Sequence, residues 1–189
     1  MILDHRCLHE ADSIDHLVQH LSGQRALVRR FRPDDVGPFQ RYRNDPDTAA
    51  YQGWDTPYGI DAATAFVGWA MTADLGVPGT WCQLAIASTT RCALAGDMGI
   101  HFLADDPNGV EVGVTLAPEA RGAGIGAEAV ALVLDHISSA YAIARATAWI
   151  TTENLPSRRL FERLGFTLVA AETSDEGTEE CRYIRELGT

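Results

Sequence analysis

A glycine-rich run between two regular segments is the part of this chain best suited to chemistry. It reads Arg-Gly-Ala-Gly-Ile-Gly-Ala over residues 121–127, after a strand-like segment at 110–116 and before a helix-like segment at 128–137. Glycine lets the backbone approach an anion without interference from a Cβ atom, and the first N–H groups of a helix point toward such an anion. Arg121 adds a fixed positive charge. The run therefore predicts a cradle for a phosphate-bearing ligand.

Two known motifs and one ordinary turn fit this run. Counted from Gly122, it matches the G-x-G-x-x-A fingerprint of dinucleotide-binding domains, which requires an acidic residue roughly 20 positions later and further strand–helix units. The next strand-like segment, 145–151, contains no carboxylate, and the first carboxylate after it is Glu153. Only one further helical segment follows. Counted from Arg121, the run reads R-x-x-G-x-G. A tight turn alone does not require three glycines and an arginine, so the second motif is favoured.

Hydrophobic periodicity predicts the elements that position the run. Strand-like segments lie at 25–31, 81–87, 91–103, 109–116, 145–151, 167–171 and 181–187. Helices are predicted after Pro33, from Asp61 as a cap, from Gly124 to the serines at 138–139, and from Asn154 to Gly165. The loop at 44–59 contains Trp54 and Tyr58, which either pack against the core or line a binding site.

Residues 1–24 are predicted to form an N-terminal extension, and residues 25–189 a single domain. Apolar residues at 14, 17, 18 and 21 are spaced for one short helix. The histidines at 5, 9, 16 and 20 form two i,i+4 pairs, a spacing that can bind a transition metal. No third ligand is fixed by this spacing, so we predict no metal site.

The order of these elements closely resembles the GNAT superfamily of N-acetyltransferases over residues 25–187. The motifs that carry the resemblance are the R-x-x-G-x-G loop, Asn154-x-x-Ser157 and Leu-Gly-Phe at 164–166. Glu-Val-Gly at 111–113 ahead of Pro-Glu at 118–119 is similar to the branch of ribosomal-protein N-terminal (alanine) acetyltransferases. The resemblance implies an α+β fold with a mixed, mostly antiparallel sheet of about seven strands flanked by about four helices. It also implies that strands four and five splay apart.

The resemblance further implies that acetyl-CoA lies in this opening as co-substrate. The fourth strand would pair with the pantetheine arm, the glycine loop would hold the pyrophosphate, and a helix-capping asparagine would hydrogen-bond the cofactor. The residues implied to bind it are Leu116, Arg121, Gly122, Ala123, Gly124, Ile125, Gly126, Ala127 and Asn154.

The implied reaction is direct transfer of the acetyl group to a neutral amine, with the oxyanion stabilised by a strand-four N–H. An amine is largely protonated at neutral pH, so a general base must remove a proton. Glu111 is the first candidate, on the strand face opposite the valines at 110, 112 and 114, acting through a water. The alternative for Glu111 is a solvated strand carboxylate. His101, on the preceding strand, is the alternative base, or a structural histidine.

Proton delivery to the leaving thiolate is less well defined. Many family members place a tyrosine four residues before the glycine of Gly-Phe, whereas this chain has Phe161, which cannot donate a proton. Ser157 assists the thiolate, or Ser157 only caps its helix. Alternatively, the thiolate leaves without help from an acid, because a thiol with a pKa of about 8.5 gives a stable thiolate.

Composition bounds the remaining possibilities. An apolar fraction of 46% over 189 residues supports a globular domain, and no apolar run reaches the roughly 18 residues of a membrane span. Charged residues interrupt the apolar region that a signal peptide would need, so we expect a cytoplasmic protein. The net charge of −11 argues against nucleic-acid binding and permits a cationic acceptor. Four cysteines without C-x-x-C spacing predict reduced thiols.

The resemblance therefore implies an acetyl-CoA-dependent N-acetyltransferase that acts on a primary amine, either a protein N-terminus or a small molecule. The second hypothesis is a non-catalytic acyl-CoA-binding module, which Phe161 favours. Expected partners are acetyl-CoA and the amine, without nucleic acid or membrane. A homodimer is a common assembly in the resembling enzymes.

Overall fold

The computed structural model describes residues 20–174 and 177–188. The predicted short helix of the N-terminal extension and three of its four histidines fall outside the described residues. Residues 21 and 22, which were placed in that extension, instead form the first strand of the sheet.

One sheet of eight strands forms the centre of the fold, in the order β1-β2-β3-β4-β5-β6-β8-β7. Neighbouring strands are antiparallel, except that β5 and β6 are parallel. The strands are β1 (Leu21–Ser22), β2 (Ala26–Arg29), β3 (Thr80–Ser88), β4 (Leu94–Phe102), β5 (Gly109–Leu116), β6 (Arg145–Thr151), β7 (Thr167–Thr173) and β8 (Glu179–Glu186).

Five helices accompany the sheet in the described ranges: α1 (Val36–Arg43), α2 (Pro46–Ala49), α3 (Ile60–Thr72), α4 (Ile125–Tyr141) and α5 (Leu155–Arg163). The predicted α+β class with a mixed, mostly antiparallel sheet is confirmed. One strand, β1, and one helix, α2, exceed the predicted numbers. Helix α2 is a single turn that has no periodic apolar face, so periodicity could not reveal it.

Helix α4 covers one face of the sheet. Its side chains at Val130, Val133, Leu134 and Ile137 are fully buried in the same apolar cluster as Val112 of β5. Full burial of one such side chain contributes about 1.5–3 kcal/mol relative to exposure. Helices α1 and α3 pack over β3 and β4 in a second apolar cluster. The glycine loop that precedes α4 is therefore held by a large core.

Two helix boundaries differ from the predictions. Gly59, and not Asp61, is the N-cap of α3. Helix α4 continues past the serines at 138 and 139, and the Ser139 hydroxyl donates to the Asp135 carbonyl within the helix, at 2.9 Å. It ends where Ala142 adopts a left-handed conformation with φ of 55°.

The predicted reduced state of the cysteines is only partly correct. Cys82 and Cys181 are buried free thiols. Cys92 is in a disulfide bond, so the prediction is wrong for this residue. No helix within the described ranges is both long and apolar enough to cross a membrane.

Strands β5 and β6 separate along their length, as predicted for the fourth and fifth strands. They pair only where residues 109–111 lie beside residues 145–147. Both strands continue further, to Leu116 and Thr151, without pairing to each other. Among the described residues, the facing edges of 112–116 and 148–151 therefore have no strand partner, and the sheet opens between them.

Candidate active site

The glycine loop presents unpaired backbone donors at the start of α4. Gly122 and Gly124 have φ of 74° and 79°, the left-handed region that favours glycine. Gly124 is the N-cap of α4 and no side chain caps the helix. Within the described part of the chain, none of the N–H groups of residues 122–127 has a hydrogen-bond acceptor. Such a set of free amides at a helix N-terminus suits an anion.

Gly126 has a different role from the other two glycines of the loop. A Cβ atom at this position would lie 2.9 Å from Cδ1 of Leu116, at the end of β5. A larger residue at this position would therefore have to move the Leu116 side chain at the contact between α4 and β5. By contrast, a Cβ atom at Gly122 would meet nothing within 4 Å, so its conformation is what requires glycine.

A cavity of about 590 Å³ lies beside the loop. Ala123 and Ile125 do not line it; Ala123 is exposed to solvent, and Ile125 packs into the core. The other residues predicted to bind the cofactor do line it, together with two arginines of α5; these lining residues are Leu116, Arg121, Gly122, Gly124, Gly126, Ala127, Asn154, Arg159 and Arg163.

Arg121 connects the glycine loop to α2. Its Nη2 donates to the hydroxyl of Thr48 and lies 3.6 Å from Oδ2 of Asp45, while its Nε donates to the Leu116 carbonyl at 3.3 Å. The hydrogen bond from the Thr48 hydroxyl lowers the pKa of Asp45, and the charge of Arg121 contributes to this. The guanidinium therefore braces the helix that borders the cavity as well as adding positive charge to it.

A second cavity, of about 300 Å³, has aromatic walls. Its aromatic residues are Tyr51, Trp54, Phe66, Trp81, Trp149 and Phe161, and its charged residues are Arg43, Asp97 and Glu180. Of the two loop aromatics for which packing and a binding-site wall were both open, Trp54 lines this cavity, whereas Tyr58 packs against the core beside Phe39.

The two cavities meet where the sheet opens. They share six lining residues: Tyr51, Gln52, Val114, Thr115, Asn154 and Ser157. These residues come from the segment after α2, from the unpaired part of β5 and from the start of α5. A group held in the first cavity can therefore reach a group held in the second.

A buried polar cluster lies at one end of the second cavity. Asp97 accepts hydrogen bonds from the Tyr42 hydroxyl and the Gln83 amide, and its Oδ2 lies 3.5 Å from Nη2 of Arg43. The guanidinium stacks on Trp54, 3.7 Å from the ring centroid. Burial raises the pKa of Asp97, and burial together with the Asp97 charge raises the pKa of Tyr42. The arginine charge opposes the shift at Asp97, as expected for a buried ion pair.

Asn154 and Ser157 lie at the start of α5. The side-chain oxygen of Asn154 accepts a hydrogen bond from the Ser157 N–H at 3.2 Å, so Asn154 is the cap. The alternative in which Ser157 caps the helix is therefore wrong. The Ser157 hydroxyl has no partner in the described ranges and lines both cavities. Phe161, one helix turn later, is buried edge-on against Phe166, with ring centroids 5.0 Å apart.

Glu111 lies outside both cavities. It is half-buried and lies on the same face of β5 as Gly113, two residues later in the strand. Gly113 lines the second cavity. Burial raises the pKa of Glu111, the nearby His101 opposes the shift and Glu180 adds to it. His101 is stacked on Trp81, with ring centroids 5.0 Å apart. Both residues remain candidates for a base that acts through a water.

Sequence reasoning missed several lining residues. Tyr51 and Gln52 follow the unpredicted turn of α2, and Trp81 and Trp149 read only as strand residues. The sequence did contain a signal for Asp97. It is a carboxylate in the middle of a strand, between the nonpolar residues Gly96 and Met98. A buried charge in such a strand needs a partner, which the structure shows to be Arg43.

A family model described as an acetyltransferase (GNAT) domain matches residues 25–167. The chain belongs to the GNAT acetyltransferase family. The structure of the ribosomal-protein-S5-alanine acetyltransferase from Vibrio fischeri aligns with a TM-score of 0.70 and 13% identity, covering 88% of this chain and 96% of that one. This likeness shows the shared GNAT fold alone, so the branch within the family stays a prediction.

Two curated relatives agree with the family. An uncharacterized N-acetyltransferase p20 from Bacillus licheniformis is 25% identical over 79% of this GNAT chain and 83% of its own length. An N-acetyltransferase 9-like protein from Nematostella vectensis is 36% identical over 80 residues. That match covers 41% of this chain and 40% of the relative, so the chain spans less than half of that protein.

Proposed function

We propose that this GNAT protein transfers the acetyl group of acetyl-CoA directly to a primary amine, on a protein N-terminus or on a small molecule. The observation that carries the proposal is the meeting of two cavities at the opening between β5 and β6. One of them is bordered by free amides, and the other has aromatic and carboxylate walls. The arrangement suits a phosphorylated donor on one side and a cationic acceptor on the other.

The residues of the larger cavity fit coenzyme A. The free N–H groups of residues 122–127 would hold the pyrophosphate, with charge from Arg121, Arg159 and Arg163. The unpaired edge of β5 at 112–116 would pair with the amide groups of the pantetheine arm, as an added strand does. The amide nitrogen of Asn154 has no partner in the described ranges and would donate to the cofactor.

In the proposed reaction the amine nitrogen bonds to the acetyl carbon while the carbon–sulfur bond breaks. The amine loses a proton to Glu111 through a water, and backbone N–H groups of the open β5 edge stabilise the oxyanion. Ser157, whose hydroxyl lies where the cavities meet, passes its proton to the coenzyme A sulfur and takes one back from water. Phe161 cannot supply it.

Release of coenzyme A from acetyl-CoA, measured with a panel of primary amines, tests the proposal. We expect amine-dependent release and a rise in the unfolding midpoint with acetyl-CoA. The second candidate, a non-catalytic acyl-CoA-binding module, is favoured by the absence of a hydroxyl at Phe161. Stabilisation by acetyl-CoA without release for any amine would support that module and contradict the transferase.

The cytoplasmic location and the homodimer belong to the same proposal. The homodimer is proposed from the likeness to other family members and the cytoplasmic location from the sequence pattern, and neither is needed for the chemistry. Cell fractionation tests the location, and light scattering after size-exclusion chromatography tests the assembly.

A further inference from the structure

We propose that the acceptor is a primary amine with a flat or apolar body and no carboxylate near the amine. The inference rests on the proposed function and concerns the smaller cavity. It excludes free amino acids as good acceptors and favours arylalkylamines and carboxamide-blocked amino groups.

The positive charge that lines this cavity already has a carboxylate partner, although Nε of Arg43 is buried without a hydrogen-bond acceptor in the described ranges. Arg43 is the one cationic side chain among its lining residues. Its guanidinium faces Asp97, and both side chains are more than nine-tenths buried. It is also stacked between the rings of Trp54 and Phe39, 3.7 and 4.5 Å from their centroids. Turning it toward a ligand carboxylate would leave Asp97 as a buried charge without a counter-ion, which is strongly unfavourable.

The free charge near the cavity is negative. Glu180 of β8 lines the cavity and has no hydrogen-bond or ion-pair partner of its own in the described ranges. The carboxylate of Glu111 lies close enough for the charge of Glu180 to act on it. A carboxylate on the ligand would therefore meet like charges, whereas an ammonium group would meet partners.

The shape of the cavity suits a flat body. Gly99 and Gly113 face each other across β4 and β5 and form part of the lining. A Cβ atom at Gly113 would meet nothing within 4 Å, so the space above it is open, while the ring of Trp81 leans over Gly99. The indole of Trp149 lies on the other side of the opening, with the Arg182 guanidinium 5.5 Å from its ring centroid. Indole faces bind both cations and flat apolar groups.

Matched acceptor pairs test the inference. Tyramine and tyrosine share a ring and an amine and differ in the carboxylate, as do phenylalaninamide and phenylalanine. We expect kcat/KM about 100-fold higher for the carboxylate-free member of each pair, because the site lacks a partner for the other. Equal use of the two members, or a preference for the amino acids, would overturn the inference.

A binding measurement separates this inference from the reaction. Three tryptophans line the cavity, so quenching of intrinsic fluorescence by tyramine and tyrosine reports acceptor binding without turnover. Quenching by tyramine at concentrations where tyrosine has no effect supports the inference even if no coenzyme A is released. No release with any of the four amines, tyrosine included, would instead count against the proposed function.

Charge removal at one carboxylate identifies the ammonium partner. We expect Glu180→Gln to raise the KM for tyramine about tenfold and to narrow its advantage over tyrosine. Glu186→Gln removes the same charge from an exposed position of the same strand and should leave both values unchanged. An unaltered ratio in Glu180→Gln would overturn the assignment of Glu180 as that partner.

Discussion

At the scale of single residues, proton transfer is the feature that distinguishes this site. The position that the resemblance associates with a tyrosine holds Phe161, a buried apolar ring. Three hydroxyl-bearing residues line the place where the cavities meet: Ser157 at the start of α5, Tyr51 after α2 and Thr115 of β5. They come from different elements, so they can be separated by mutation.

We expect Ser157→Ala to lower kcat about tenfold to a hundredfold, because the coenzyme A sulfur loses its proton donor. The dissociation constant of acetyl-CoA should stay within twofold of the wild type, measured by calorimetry. Tyr51→Phe is the matched control that also removes one hydroxyl from the meeting point and should retain most of the activity. If Ser157→Ala keeps full activity and Tyr51→Phe loses it, Tyr51 and not Ser157 is the proton donor.

Glu111 gives a prediction about pH. A general base acts in its deprotonated form, and burial raises the pKa of Glu111. The value of kcat/KM should therefore fall as the pH falls through this raised pKa. In Glu111→Gln the plateau should be roughly 100-fold lower and this acid limb should disappear. Glu119→Gln, at an exposed site, should keep the wild-type profile, and an unchanged limb in Glu111→Gln would exclude the residue as the base.

At the scale of elements, the first turn of α4 is fastened to the turn between β1 and β2. The carboxylate of Glu128 accepts hydrogen bonds from the N–H groups of residues 24, 25 and 26, at 2.9, 2.6 and 2.7 Å. A Cβ atom at Gly23 would lie 2.5 Å from the Glu128 carboxyl carbon, so this turn leaves no room for a side chain. The start of α4 is thereby fixed relative to the sheet.

This contact makes stability depend on pH. Partial burial opposes ionisation of Glu128, but the three backbone donors outweigh it and lower the pKa. The stabilisation is therefore complete above the unfolded-state pKa of about 4.3 and is lost as the pH falls through the folded-state pKa. We expect Glu128→Gln to cost about 1–2 kcal/mol at pH 7 in urea unfolding, and less near pH 3. Asp135→Asn, on the exposed side of α4, should change the free energy of unfolding little at either pH. If Glu128→Gln costs the same at pH 7 and near pH 3, the ionised Glu128 carboxylate is not the source of the stabilisation.

A second link between elements joins the glycine loop to α2 through Arg121. Asp45→Asn weakens this link without removing a positive charge from the cofactor cavity. We expect it to raise the KM of the amine, because Tyr51 and Gln52 follow α2, and to change acetyl-CoA binding little. Arg121→Gln should weaken both. Because the guanidinium is partly exposed, a double-mutant cycle should give a coupling below about 1 kcal/mol. If Arg121→Gln lowers the affinity for acetyl-CoA and leaves the KM of the amine unchanged, the link between the glycine loop and α2 does not affect acceptor binding.

At the scale of the whole molecule, the sheet consists of two parts joined by a short parallel contact. Residues 109–111 and 145–147 are its only strand pairing across the opening in the described ranges. Edges without hydrogen-bond partners exchange their amide hydrogens readily, and a ligand that pairs with them confers protection. We expect acetyl-CoA to slow deuterium exchange at least tenfold in peptides covering 112–116. Peptides from the paired β4 should change little, and uniform protection of both strands would argue against cofactor binding in the opening.

The local pattern of the sequence determined most of the elements and the cofactor loop. Strands β5 and β6 were predicted with their observed bounds, and the cap at Asn154 and the stop at Gly165 were read from residue type. These features depend on neighbours within one turn or one strand, so the sequence contains them directly. The R-x-x-G-x-G motif likewise lies on consecutive residues.

The acceptor side was decided by the tertiary structure. Arg43, Asp97 and Glu180 lie far apart in the chain, and only the packing of α1 over β4 and the register of β8 bring them around one cavity. Whether a charge is free or already paired depends on contacts between distant segments. For this reason the sequence alone indicated a donor that carries phosphate, whereas the preference for an amine without a carboxylate could be argued only from the folded chain.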